Sequence, residues 1–415
     1  MHTKSLSGFC IFAVLFGFSF ISCSKWDRKS PIDRQDIVLT KAQQEVLDSS
    51  QVFAIDFFKE MCRELEKGNL FISPLSASMA LSAVTNGGAG TTMEDMKATL
   101  GFGNFSLEQM NDFYKMLVPA LKKADNTVDL LVANAAWIEQ TFPVKESFTN
   151  SLQDYYDASI NKLDFNDPKS PDVINAWCSE NTKGMIKEII DRIDPAYRLF
   201  YTNALYFKGD WKSTFDKKDS RKGPFQNASG HTSQIVFMEQ TQTLRYYTNK
   251  KAALAELPYG NEAFSMVVAL PAEGMSAEDL ALSLDIATWN DWMESLYPAT
   301  LHVRMPRFEL DFDTEEMMIP VLARMGMGIA FDPLMADFSH ISDIPLFIGM
   351  VKQSTRIQVD EKGTEAAAVT IIGFELTSAG PDPQPIPFYV DRPFLLFIKE
   401  KSTGTILFSG LIKEL

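Results

Sequence analysis

From Glu361 to Gly380 the chain holds no proline, and from Thr364 onward it can be read at period two. The even positions, Thr364, Ala366, Ala368, Thr370, Ile372, Phe374 and Leu376, are uncharged, while the odd positions carry both charges, Glu365 and Glu375. Successive side chains of a strand point to opposite faces, so this is the pattern of a strand with one buried and one wet face. A central strand must also be free of proline, which cannot donate to the ladder. Yet Pro381, Pro383, Pro385 and Pro387 come next, at every second residue, and that spacing favours a stiff, exposed strut of polyproline type. A segment able to become a strand is joined to one that cannot continue it. An edge strand ending in a proline-rich turn is the plainer account of the same residues.

The rest of the chain reads as one large globular body. Its 415 residues are 46% hydrophobic and 22% charged, a composition that excludes a disordered, collagenous or polytopic membrane protein. A formal net charge of −15 argues against a nucleic-acid partner, because phosphate binding needs a concentrated basic face. Length alone would suggest two or three domains, but from about Lys41 no linker, repeat or low-complexity tract interrupts the chain. Phe53, Phe57, Met61 and Leu65, with Ile55, Phe58 and Cys62, mark one apolar helix face; Leu107, Met110, Phe113, Tyr114, Leu117 and Leu121 mark a second. Apolar runs at 264–270, 394–398 and 406–408 suit strands buried on both faces. Helices dominate the first half and strands the second, which predicts an α+β fold.

The N-terminus reads as an export signal. Lys4 precedes an almost continuously apolar run from Phe9 to Ile21, too short to span a bilayer comfortably. Phe20-Ile21-Ser22-Cys23 resembles the lipobox of bacterial lipoproteins, in which the cysteine is lipidated and becomes the mature N-terminus. Residues 1–22 are therefore expected to be removed. Residues 23–45 would form a lipidated tether and 46–415 the domain, exported and held on a membrane facing the periplasm or at the cell surface. Cleavage near Gly17, leaving Cys23 incidental, is the alternative. Only Cys62 and Cys178 remain in the body, so two buried thiols are expected rather than a disulfide scaffold.

Enzyme signatures are absent: no G-x-S-x-G elbow, H-E-x-x-H, C-x-x-C or G-x-x-x-x-G-K occurs. No catalytic residue, metal site or cofactor is predicted.

Residues 361–378 resemble the reactive-centre loop of serpins, and Glu361-Lys-Gly-Thr-Glu-Ala-Ala-Ala368 is similar to that family's inhibitory hinge. The stretches 69–76 (NLFISPLS), 203–211 (NALYFKGDW), 257–259 (LPY), 336–339 (ADFS) and 391–394 (DRPF) look like serpin landmarks in the family's order. The resemblance runs from about residue 46 to the end. It implies three β-sheets surrounded by eight or nine helices, with a reactive-centre loop, here about 361–391, exposed at one pole.

The resemblance also implies a function. A target protease cleaves the loop as a suicide substrate and forms an acyl-enzyme; the freed strand inserts into the largest sheet, and the trapped protease cannot finish hydrolysis. Strand insertion by serpin loops is itself a standard example of β-strand addition. The hinge would comprise Glu361, Gly363, Thr364, Glu365, Ala366, Ala367 and Ala368. Counting seventeen residues from Glu361 places the scissile bond at Thr377–Ser378, with Leu376–Thr377 one step away. Ser73, Ser76, Asn203 and Gln353 match the shutter beneath the opening strands, Gln353 standing where the family usually has histidine. Trp211, Arg307 and Glu361 match the breach, where insertion begins. The absence of Lys or Arg between Gly363 and Asp391 points away from trypsin-like proteases and towards elastase-like, chymotrypsin-like or subtilisin-like serine proteases, or a papain-like cysteine protease. A monomer is expected. The rival reading is a non-inhibitory serpin acting as a surface binding module.

Overall fold

The protein is described here by a computed structural model, covering residues 32–314, 316–364 and 384–415. In chain order its helices are α1 (Lys41–Glu64), α2 (Pro74–Thr85), α3 (Gly90–Thr99), α4 (Leu107–Ala124), α5 (Glu146–Tyr156), α6 (Ser170–Asn181), α7 (Ala277–Leu282), α8 (Ile286–Ser295) and α9 (Met318–Leu322). The first strands are β1 (Leu70–Ile72), β2 (Asp129–Glu139), β3 (Ala158–Leu163), β4 (Leu199–Asp210), β5 (Arg221–Gln226), β6 (Thr232–Thr248), β7 (Ala252–Pro258) and β8 (Phe264–Pro271). After them come β9 (Tyr297–Pro306), β10 (Phe308–Asp313), β11 (Ser354–Val359), β12 (Gly363–Thr364), β13 (Ile386–Tyr389), β14 (Phe394–Glu400) and β15 (Ile406–Ile412). The α+β reading and both apolar helix faces are found as expected. Thr40 with Gln43, and Ser106 with Gln109, form capping boxes that fix where α1 and α4 begin.

Three sheets are present among the described residues. The largest runs β1-β15-β14-β8-β7-β6-β9-β13, with β5 also on β6. Every residue of β8, β14 and β15 is buried, the apolar runs as their composition requires, and Lys399 and Glu400 at the end of β14 along with them. β6 is 17 residues long; it pairs with β5 and β9 along most of its length and with β7 over Arg245–Thr248, so one strand is shared among three partners. The second sheet is β12-β4-β2-β3, and the third is the antiparallel pair β10-β11.

The main core joins α1, α2 and α4 to the large sheet. A satellite cluster of Ala135, Trp137, Phe165, Ile174, Ile190 and Phe200 packs apart from it. Cys62 and Cys178 are buried free thiols. Residues 32–40, which the sequence groups with the tether, lie extended against the body. Ile37 and Leu39 pack on the core, Ile32 N donates to Asn126 Oδ1 (3.1 Å) and Ile37 N donates to Ser402 Oγ (2.9 Å).

Candidate functional site: hinge, breach and an open sheet edge

At the end of β11 the chain reverses. Asp360 N donates to Gly363 O (2.9 Å), Gly363 N to Asp360 O (3.2 Å), and Lys362 N to Asp360 Oδ1 (2.8 Å). The turn aims Gly363 and Thr364 back along β4, where they pair antiparallel with Asp210 and Gly209. The hinge predicted from the sequence thus begins as a short strand laid on the upper end of β4.

The breach residues hold that turn. Trp211 is buried, its backbone N donates to Lys362 O (2.7 Å) and its indole Nε1 to Asp360 O (3.0 Å). Its ring stacks on Tyr259 at 4.6 Å, and Phe215 meets it edge-on. Phe215 N donates to Glu361 O (2.7 Å). The Glu361 carboxylate is only 2% exposed; Oε1 accepts from Ser220 Oγ (2.8 Å) and Arg307 Nη1 (3.4 Å), while Oε2 has no partner among the described residues. A buried carboxylate is costly unless paired and fully hydrogen-bonded. Half of this carboxylate is satisfied, so it is the weakest of the groups that hold the hinge, whereas the Trp211 and Phe215 hydrogen bonds to the turn are well made. Trp211, Arg307 and Glu361, grouped in the sequence reading, lie together around this turn. The sequence carries no sign of Ser220 or Phe215, whose roles depend on where the 211–222 segment folds.

The shutter residues meet at the N-terminus of α2. Ser73 is its N-cap, with Oγ accepting from Ser76 N (3.1 Å) and donating to Leu407 O (2.6 Å). Gln353 brackets the Ser73 backbone: its Oε1 accepts from Ser73 N (2.8 Å) and its Nε2 donates to Ser73 O (3.0 Å). Separately, Ser76 Oγ donates to Asn203 Oδ1, Asn203 Nδ2 to Asn134 Oδ1 (2.7 Å), and Asn134 Nδ2 to Tyr156 O (2.6 Å). The two flanks of the sheet opening are therefore each clamped to α2, β4 through Asn203 and the start of β11 through Gln353. Among the described residues no hydrogen bond joins Asn203 to Gln353.

Between those flanks lies an opening that separates the second sheet from the third, so the sheet expected to receive the loop is not the largest one among the described residues. β4 pairs with β2 from Leu199 to Lys208, but among the described residues its other edge carries only the two hinge residues; β11 likewise pairs only with β10. A cavity of about 460 Å³ fills the opening, lined by Ser73, Ala77, Cys178, Phe200, Asn203 and Gln353 among others. Burial pushes the Cys178 thiol up to about 11, which keeps it uncharged in this apolar setting. No group of His, Cys, Asp or Glu among the described residues could hold a metal ion. Glu365, Ala366, Ala367, Ala368, both candidate reactive bonds and Cys23 lie outside the described residues.

The model for the family described as "Serpin (serine protease inhibitor)" matches residues 48–414. A serpin-like protein of Thermococcus kodakarensis is 31% identical, over 92% of this chain and 88% of its own length. The leukocyte elastase inhibitor of Xenopus laevis is 32% identical, over 86% and 96% respectively. The crystal structure of tengpin, a thermophilic serpin, in its native state superposes with a TM-score of 0.81 at 29% identity, over 92% of this chain and 98% of that one. The chain belongs to the serpin family. Members are generally protease inhibitors rather than enzymes, and they bind target proteases.

Proposed function

We propose that this protein is a membrane-anchored inhibitory serpin that traps a protease by inserting its cleaved loop between β4 and β11. The observation that carries this reading is the hinge. The chain has turned at Asp360–Gly363 and laid Gly363 and Thr364 antiparallel on β4, at the head of an edge with no strand further down among the described residues. The residues after Thr364 are fit to continue that strand: Glu365, three alanines of little bulk, then no proline until Pro381. About 14 residues at ~3.3 Å each would give a strand of roughly 45 Å. Two new ladders, each bond worth ~0.5–1.5 kcal/mol net, would sum to tens of kcal/mol at most.

The protease nucleophile attacks the Thr377 carbonyl, forming an acyl bond to the enzyme and releasing the Ser378 amine. Insertion must then outrun attack by water on that acyl bond. Elastase-like, chymotrypsin-like and subtilisin-like enzymes fit the apolar residues before the cut, Phe374 and Leu376, and a papain-like enzyme fits Leu376. Cys23, following an apolar export signal, carries the lipid anchor.

Incubation of the mature protein with a protease panel tests this. The expected result is a denaturant-resistant complex and a released C-terminal peptide starting at Ser378 or Thr377. Cleavage without a complex would instead leave the binding-module reading. A Thr364→Arg variant should be cleaved as a substrate without trapping, because a guanidinium at the first inserted position has no evident partner. Unchanged stoichiometry of inhibition in that variant would remove the insertion mechanism.

A further inference from the structure

We infer that the breach pole, from which the hinge emerges, is the pole turned towards an anionic lipid surface. This rests on the proposed anchor at Cys23, and two independent observations set the direction. The first is where the tether enters the body. Ile32 is hooked by two asparagines: its N donates to Asn126 Oδ1 (3.1 Å) and its O accepts from Asn261 Nδ2 (3.3 Å). Asn261 N is itself fixed by Asp125 Oδ2 (2.8 Å), and the preceding Gly260 N donates to Asp210 O (2.9 Å). Tyr259, two residues earlier, bridges to Trp211. The entry point therefore sits beside the upper end of β4, at the breach. Ile32 follows Cys23 by nine positions, and a fully extended chain of that length spans at most about 32 Å.

The second observation is charge. The chain as a whole carries −15, yet residues 211–222 at this pole expose Lys212, Lys217, Lys218, Arg221 and Lys222 against Asp216 and Asp219 of the same segment; Lys212 is paired with Glu262 and Lys218 with Asp216, which leaves Lys217, Arg221 and Lys222 as the basic excess. Phe215, in their midst, is bonded to Glu361 of the hinge. Basic residues close to an anionic leaflet are drawn to it, within a Debye length. The opposite pole lies at the Leu199 end of β4, whose 12 residues at ~3.3 Å place it roughly 40 Å away. There Asp343 is 90% exposed and paired with Lys145. Hook and charge thus turn the same end to the membrane, and the reactive pole would meet proteases working close to the lipid surface. Insertion of the cut loop, running down β4, would carry the captured enzyme away from it.

The test supplies its own anchor, so that it does not depend on lipidation in the cell. A hexahistidine tag in place of residues 1–23 is bound to phosphatidylglycerol vesicles containing nickel-chelating lipid and nitroxide-labelled headgroups. A fluorophore is attached through Lys217→Cys or, in a second protein, through Asp343→Cys; Cys62 and Cys178 are buried and stay unlabelled. Quenching should be several-fold stronger at 217 than at 343. Equal quenching, or stronger quenching at 343, overturns the inference. Asn126→Ala, with an unchanged melting temperature, should narrow the difference; an undiminished difference would show that the hook does not set the orientation. Lipidation is measured separately, from the mass of the N-terminal peptide of cell-derived protein, so the anchor can fail while the orientation stands.

Discussion

A Cβ on Gly363 would lie 2.2 Å from Gly209 O, 2.6 Å from Asp210 Cα and 2.8 Å from Trp211 N. All three are backbone atoms, so no side-chain rotation relieves the clash. Gly363→Ala should unseat the hinge from β4 and raise the stoichiometry of inhibition, measured by titration against a trapped protease; unaltered titration would mean that the seat is unimportant. Gln353 is the counterpart at the shutter. Its amide serves both the N–H and the C=O of Ser73, and leaving buried backbone groups without partners costs ~1–3 kcal/mol. Gln353→Ala should therefore lower the urea midpoint and speed spontaneous loss of inhibitory activity on storage. At this scale the sequence was informative about identities and poor on partners. Ser73, Ser76, Asn203, Trp211 and Glu361 stand in recognisable stretches, and the structure brings them into two clusters. That Gln353 would grip Ser73 rather than Asn203 could not be read, because the choice depends on where chain segments 280 residues apart come to rest.

β4 has a partner strand along its length on one side and, among the described residues, only β12 on the other. A free strand edge is a template for pairing, and the loop is the segment of this chain patterned to fill it. Cutting the loop should raise the melting temperature, since the severed end gains a full set of ladder bonds. Equal or lower melting of nicked protein, followed by circular dichroism, would show a loop that does not insert. The helices and buried strands were legible because their signals are local: capping boxes at Thr40 and Ser106, and apolar runs such as Phe264–Pro271. The multiple pairing of β6 was not, since nothing in its 17 residues says that 232–237 meets β5, 237–246 meets β9 and 245–248 meets β7. Nor did the docking of residues 32–40 show. Their mix of charged and apolar residues gives no local sign of a backbone anchored by Asn126 and Ser402.

For the molecule as a whole, one buried ion pair lies inside the large sheet, between β7 and β14. Glu256 and Lys399 are both nearly inaccessible and 3.1 Å apart, with Arg245 at 2.9 Å and Ser265 Oγ at 2.8 Å from the same carboxylate. Burial alone would raise the Glu256 pKa, but Lys399, the hydrogen bonds from Ser265 and Lys399, and Arg245 together hold it below its usual value of 4.5. A carboxylate depressed on folding stabilises the native state above that value, and the contribution is lost as pH falls through the folded pKa. Stability measured by urea titration should therefore decline below pH 4.5. Glu256→Gln should flatten that decline and cost about 3–5 kcal/mol at neutral pH, by leaving Lys399 buried without its counter-charge. A steep acid limb retained in the variant would assign it to other groups. The open edge of β4 also bears on how the chain reaches this arrangement in time. Ile138 and Leu199, paired at the lower end of β2 and β4, are 61 residues apart, and Asp313 and Ser354 of β10 and β11 are 41 apart. Thr364 must come 155 residues to meet Gly209. Ladders between nearer segments close sooner, so the flanks of the opening can set before the distant strand arrives. The order of assembly would then select the armed form over the deeper one. Refolding under conditions that slow β2–β4 pairing should return protein that is soluble and stable but unable to inhibit.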